Sequence, residues 1–355
     1  MRALHIVGAR PQMMKLAPLW SAMHLRAIEQ YWMHTGQHHD ANLNLDFVKE
    51  LSLPMPTCQL EPVAAVSDDE RVQLMVKGLL REFKRWDRAA VVVYGDTLST
   101  LAGAQVAKHL DWPLIHVESG LRSGNFDMPE EAIRMEVDRL ADIHWCPSEL
   151  ALANLYKEGV VKQESASLVV GDLMLDALKW MDPIPHSERG GVVMTMHRNT
   201  NVDVAEYRRL WLDAAVLIAE QRPVLWSVHP RWKKWSTEEE KQILRRSKIQ
   251  EFGPVSHQQM IKWCASASVV LTDSGGLQKE AYALHTPVAV LRPETEWVEL
   301  LASDGIAVFP PNEEGVVDRL LAWIDERERV PAHYPPVYGE GRSAMDMVDH
   351  YLAQW

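Results

Sequence analysis

Short apolar runs alternate with amphipathic stretches along most of this chain. Residues 3–7 (Ala-Leu-His-Ile-Val) form a brief apolar run that stops at Gly8-Ala9-Arg10-Pro11, and a helical pattern follows from Gln12 to about Leu25. A strand, a glycine turn and a proline near the helix start predict a βα unit with an exposed helix N-terminus. Residues 89–94 repeat the design, with a helix opening near Thr97, and residues 114–117 repeat it again. Ile143-His144-Trp145 precedes a helix opened by Ser148, a hydroxyl N-cap with Glu149 in the first turn. Such alternation predicts a doubly wound parallel sheet.

At Met181-Asp182-Pro183-Ile184-Pro185-His186-Ser187-Glu188-Arg189-Gly190-Gly191 the pattern breaks. Two prolines and two glycines among polar residues read as a linker. Alternation then resumes, with strands expected at 192–196, 224–228, 268–271 and 288–291. The expected organisation is therefore an α/β chain of two Rossmann-like domains, 1–180 and 191–341. A terminal helix in 342–355 is expected to pack back across the junction. A cleft between the domains is the expected ligand site, and the linker the expected hinge.

Composition narrows the partners. With 47% hydrophobic and 24% charged residues over 355 positions, the chain has the make-up of a soluble enzyme. A formal charge of −12 argues against a nucleic-acid partner. Cys58, Cys146 and Cys264 are scattered, with no CxxC pair, which fits a reducing cytoplasm. The opening MRALHIVGARPQ is too short an apolar run for a signal peptide, and no stretch reaches the length of a membrane span.

Candidate chemistry gathers at strand ends. Asp96 in Gly95-Asp96-Thr97, Glu118 in His116-Val117-Glu118-Ser119-Gly120-Leu121-Arg122, and Glu130 in Met128-Pro129-Glu130-Glu131 stand at ends of successive strands or starts of the next helices. Each alone reads as a helix cap or first-turn acid. Three together point to proton transfer on an organic substrate. Thr272-Asp273-Ser274-Gly275-Gly276 follows an apolar run, where two glycines admit close approach and the next helix offers free N–H groups to a phosphate. Glu280, further along that helix, is placed to accept from a ribose diol. Arg10 and Arg292 are candidate phosphate clamps. His197 and His229 end the first two strands of the second domain, facing the expected cleft. His38-His39-Asp40 lacks ligand spacing for a metal, and Gly8-Ala9-Arg10 lacks the GxGxxG of dinucleotide sites. No metal and no cofactor is expected.

From the first strand almost to the last helix, the chain resembles the non-hydrolysing UDP-N-acetylglucosamine 2-epimerases. The match runs through Gly8-Ala9-Arg10-Pro11-Gln12 with Lys15, Thr35-Gly36-Gln37-His38, Gly95-Asp96-Thr97, the His116–Arg122 segment, Pro129-Glu130-Glu131 with Arg134, His197-Arg198, His229-Pro230, Asp273-Ser274-Gly275-Gly276, Glu280 and Thr295-Glu296. The resemblance implies a glycosyltransferase-B-like fold and a UDP-sugar substrate. It further implies elimination of UDP across C1–C2 to a 2-acetamidoglucal, then re-addition with a proton on the other face of C2. On that resemblance Asp96, Glu118, Glu130 and His197 occupy acid/base positions, with Lys15 near the reacting end. Arg10, Arg134, His229, Ser274, Gly275, Gly276, Glu280 and Arg292 fall at substrate or UDP positions. A homodimer is implied as well.

Two segments differ from the family pattern: Asn199-Thr200 follows His197-Arg198 where a Glu is common, and Arg292-Pro293-Glu294-Thr295-Glu296 replaces Arg-Asp-Thr-Thr-Glu. Several motifs, Thr295-Glu296-Trp297-Val298-Glu299 among them, resemble the branch acting on 2,3-diacetamido-glucuronate. The sugar's C3 and C6 substituents therefore stay open, as do a hydrolysing epimerase, a UDP-sugar glycosyltransferase and a silent sugar-nucleotide sensor.

Overall fold

The computed structural model describes residues 2–37, 45–61, 67–124, 126, 128–161, 163–181 and 189–355. Linker residues 182–188, His38-His39-Asp40, Asn125 and Asp127 lie outside the described residues. The chain forms two packed units: Met1–Trp180 with Val337–Trp355, and Met181–Pro336. Residues 337–341, expected in the second domain, thus group with the first.

The first unit is built on a seven-stranded sheet. Its strands are β1 (Ala3–Val7), β2 (Gln30–His34), β3 (Cys58–Gln59), β4 (Ala90–Tyr94), β5 (Leu114–Val117), β6 (Ile143–Cys146) and β7 (Ser167–Val169). All pairings are parallel, in the order β3-β2-β1-β4-β5-β6-β7. Every residue of β1 and β4 is buried, as befits largely apolar parallel strands covered by helices on both faces. Helix Leu98–His109 sits close on this sheet because Gly103 has no side chain; a Cβ there would lie 2.8 Å from Val93 Cγ1.

In the second unit six strands carry the same plan: β8 (Val192–Met196), β9 (Val224–Val228), β10 (Gln250–Phe252), β11 (Val269–Thr272), β12 (Val288–Val290) and β13 (Ile306–Val308). They too are parallel throughout, in the order β10-β9-β8-β11-β12-β13. Each sheet therefore reverses its winding once, between β1 and β4 and between β8 and β11. Ligands of doubly wound sheets bind beyond the carboxyl ends of the strands at such a reversal.

The terminal helix Ser343–Gln354 packs against helices Arg10–Leu25 and Leu173–Trp180 within the first unit. Its first turn is capped from outside, since the Asp176 carboxylate accepts from Ser343 N at 3.1 Å and Ala344 N at 3.0 Å. Met347, Val348 and Tyr351 join the core that covers one face of the first sheet.

Candidate active site

At the β1/β4 reversal the two loops are pinned together by Gln12. Its Oε1 accepts from Gly8 N (2.8 Å) and Ala9 N (3.1 Å), while Nε2 donates to Tyr94 O, Thr97 Oγ1 and Thr100 Oγ1. Gly8 is required here, because a Cβ would collide with the Thr35 and Ser99 hydroxyls. The turn after β4 can then present Asp96. Arg134 of helix Pro129–Leu140 is ion-paired with Asp96 through Nη2, and its Nη1 donates to Glu131 Oε2 at 2.8 Å.

Glu118 follows β5 in the left-handed region, φ 65°, an uncommon conformation for a residue with a side chain. Lys15 is ion-paired with Glu118 Oε2, and both side chains are largely buried. The approach depends on Gly95 (φ 64°), where a Cβ would sit 3.2 Å from Glu118 Oε2. Two carboxylates at adjacent strand ends thus each face a cation. Glu130 differs: it is exposed in the first turn of its helix. Its neighbour Glu131 is buried and holds the loop instead, accepting from Ser123 N, Ser123 Oγ and Gly124 N. Burial pushes the Glu131 carboxyl up, but those bonds and the Arg134 charge outweigh it and hold the group below its ordinary range. Arg10, by contrast, is exposed at its helix start, its guanidinium 5.4 Å from the Phe47 ring centre.

The β8/β11 reversal is organised by Asp273, which is fully buried. It accepts from the backbone N–H groups of His197 and Arg198 and from Asn201 Nδ2. His197 Nδ1 lies 3.2 Å from Asp273 Oδ1, and its ring centre is 5.8 Å from that of His229. Burial pushes the His197 pKa down; Asp273 pulls it up less, and Arg198, His229 and Arg292 add to the downward push. The ring is therefore neutral near pH 7. His229 caps helix Pro230–Trp235 by accepting Arg231 N on Nδ1, so its hydrogen sits on Nε2.

Helix Gly275–Ala283 begins at Ser274 with no side-chain cap bond. Its first N–H groups are thus open to an anion. Around Gly276 there is space, for a Cβ there would meet nothing within 4 Å. Gly275 instead packs tightly under the Glu296 carboxylate, with Arg198 Nη2 3.7 Å from where a Cβ would stand. Arg292 Nη1 pairs with Glu296 Oε2 at 2.8 Å. Arg198 Nε is buried without a hydrogen-bond partner among the described residues. Glu280 is buried and bonded to His257 Nε2 at 2.8 Å.

The two units thus divide the expected residues. Lys15, Asp96, Glu118 and Arg134 come together in the first; His197, His229, Ser274, Gly275, Gly276 and Arg292 surround one strand-end region of the second. Asp138 and Asn201 were not named from the sequence, and Glu131 and Arg198 stood there only within matched motifs, with no role given. Glu131, Arg134 and Asp138 lie on one helix face at spacings of three and four, a polar stripe that could have signalled them.

A family profile described as UDP-N-acetylglucosamine 2-epimerase matches residues 22–351. A UDP-2,3-diacetamido-2,3-dideoxy-D-glucuronate 2-epimerase of Pseudomonas aeruginosa is 35% identical, over 100% of both chains. The crystal structure of Methanocaldococcus jannaschii UDP-GlcNAc 2-epimerase, in complex with UDP-GlcNAc and UDP, superposes with a TM-score of 0.83 at 28% identity, covering 100% of each chain. A spinosyn rhamnosyltransferase shares the fold alone (TM-score 0.51, 15% identity, 99% of this chain and 96% of that one), in keeping with a glycosyltransferase-B-like architecture. The chain belongs to the UDP-N-acetylglucosamine 2-epimerase family.

Proposed function

We propose that the protein inverts C2 of a UDP-2-acetamido sugar of the UDP-GlcNAc type, by eliminating UDP and adding it back. The observation that carries this reading is the pair of strand-end carboxylates, Asp96 and Glu118, each matched to its own cation. Removing the weakly acidic C2 proton calls for an ionised base, and returning a proton to the opposite face calls for a second group. Asp96, Glu118, Glu130 and His197 are the proposed acid/base set. Lys15 serves the reacting end, and Arg134 acts on substrate and on Asp96. As the C1–O bond breaks, the departing diphosphate gathers charge that backbone donors and arginines must meet. Ser274, Gly275 and Gly276 supply the donors in this reading, aided by Arg10, Arg198, Arg292 and His229. Glu280, aligned by His257, accepts from the ribose.

Conversion in heavy water tests the reaction class. Product must carry deuterium at C2, read by NMR, with UDP remaining attached; an epimer that keeps hydrogen at C2 rules the route out. Free N-acetylmannosamine would instead indicate hydrolysis.

A second reading concerns the sugar alone: 35% identity to the diacetamido-glucuronate 2-epimerase over the full length favours a substrate with a 3-acetamido group and a 6-carboxylate. Competition between the two UDP-sugars, read as kcat/KM, decides it. For assembly and location we propose a cytoplasmic homodimer. No helix among the described residues is long and apolar enough to cross a membrane. Helix Asp68–Phe83 exposes Leu74 between Glu70 in its first turn and Arg81 in its last, a face that complements an antiparallel copy of itself. Light scattering on the purified chain, with Leu74→Glu as the disrupting variant, checks the dimer.

A further inference from the structure

One fully buried acid has no part in the chemistry above. Asp138 sits near the end of helix Pro129–Leu140 with no exposure to solvent. Its Oδ1 accepts from His116 Nδ1 (2.6 Å) and Ser119 Oγ (2.5 Å); its Oδ2 accepts from Gly120 N (3.2 Å) and Arg122 Nη1 (2.7 Å). All four donors belong to the segment that carries Glu118. Burial pushes the Asp138 carboxyl up, yet His116 and Arg122, with the Ser119 hydroxyl, outweigh it and keep it well below the ordinary carboxylate range.

His116, also fully buried, spans from this carboxylate to the neighbouring strand end, where its Nε2 lies 2.8 Å from Gly95 O. A carbonyl oxygen brings no hydrogen, so Nε2 must hold one. Nδ1 faces an ionised carboxylate whose oxygens already take three other donors, so it must hold one too. Other ionisable groups nearby are His144, bonded to the Asp138 backbone carbonyl, the pair of Asp96 with Arg134, and the pair of Glu118 with Lys15. Burial pushes the His144 pKa down, so that ring stays neutral and does not compete for the charge.

We infer that His116 is a buried imidazolium which Asp138 holds as a brace, locking the Gly95–Asp96 turn and the Glu118 segment into one rigid frame. Both are positioning residues, acting on the reaction only through Asp96 and Glu118. The charge also lies one peptide from Asp96 and two residues from Glu118, close enough to act on both electrostatically. The catalytic half of this inference rests on the epimerase reading; the protonation state does not.

Two measurements test it. In protein labelled with 15N-histidine, the ring signals that vanish in His116→Gln should show both nitrogens protonated near pH 7, where an unperturbed histidine is mostly neutral. A single ring N–H overturns the assignment. In kinetics, Asp138→Asn and His116→Gln should each lower kcat on the order of 10- to 100-fold, the scale of slight misplacement of reacting groups. KM should stay within about twofold, and the acid limb of the kcat/KM profile should move to higher pH. His116→Gln retains an amide donor for Gly95 O and serves if the Asp138 variant fails to fold. Wild-type kcat and an unmoved pH profile in His116→Gln would remove the positioning role. The ring protons are read without turnover, so they stand even if C2 exchange fails; normal exchange with a neutral ring removes this inference alone.

Discussion

The two sheets have the same strand order, yet their reversal points are furnished in opposite ways. Around β4 and β5 the charges are closed within the unit: Asp96 with Arg134, Glu118 with Lys15, Asp138 with His116 and Arg122. Around β8 and β11 the buried acid, Asp273, is used up by backbone N–H groups. The helix start at Ser274 is left uncapped by any side chain, and Arg198 Nε is left without a partner among the described residues. Proton-transfer groups must be held in one geometry and one charge state, which a closed network provides. An anion site must keep donors open, because a donor already satisfied has little to offer a phosphate.

The largest effect should come from the closed network. Asp96→Asn and Glu118→Gln are each expected to lower turnover by about 100-fold or more, the scale of losing a general acid or base. Calorimetry should find UDP affinity nearly unchanged. If either variant weakens UDP as much as it slows turnover, the division of labour between the units fails. Glu130→Gln belongs to the same series and asks whether an exposed first-turn acid joins the chemistry.

The open site should respond in the other quantity. Arg198→Ala is expected to raise the Kd for UDP by roughly tenfold or more, as for loss of a charged hydrogen bond. Glu280→Gln should raise it less, and neither should lower kcat as far as the carboxylate variants. An unchanged Kd in both variants would take those residues out of the nucleotide site.

A smaller effect lies in acid stability. Glu131 titrates below its ordinary value in the folded chain, so it binds fewer protons folded than unfolded. Its contribution is complete above the unfolded value, about 4.3, and is lost as pH falls through the folded value. Between about pH 5 and 3 the melting temperature of the wild type should therefore drop a few degrees more steeply than that of Glu131→Gln. Parallel slopes in calorimetry would show that the loop bonds to Glu131 carry no such linkage.

Much of the scaffold was legible because its inner strands are plain apolar runs. Residues 3–7, 114–117, 192–196 and 224–228 are read straight from the sequence and coincide with β1, β5, β8 and β9. Outer strands were not. In β10, Gln-Glu-Phe is exposed throughout, and β2 opens on a half-buried glutamine, so neither shows a buried-strand signature. Asp96 and Glu118 could be found from their turn motifs. Their partners Arg134 and Lys15 came from the family resemblance alone, since an Arg or Lys in an amphipathic helix looks like any solvated residue. Asp138 hid in the same way within Glu-Val-Asp-Arg, although its carboxylate is fully buried.

The return of Val337–Trp355 to the first unit has a consequence for the life of the nascent chain. A ribosome releases residues in order, and domains tend to fold as they emerge. The second unit, contiguous from Met181 to Pro336, can close while synthesis continues. The first cannot, because Trp145 waits for His350 to accept its indole N–H, and Asp176 waits for the amides of Ser343 and Ala344. Until then an apolar face stays uncovered where Met347, Val348 and Tyr351 will dock. The half of the protein made first is thus the half finished last.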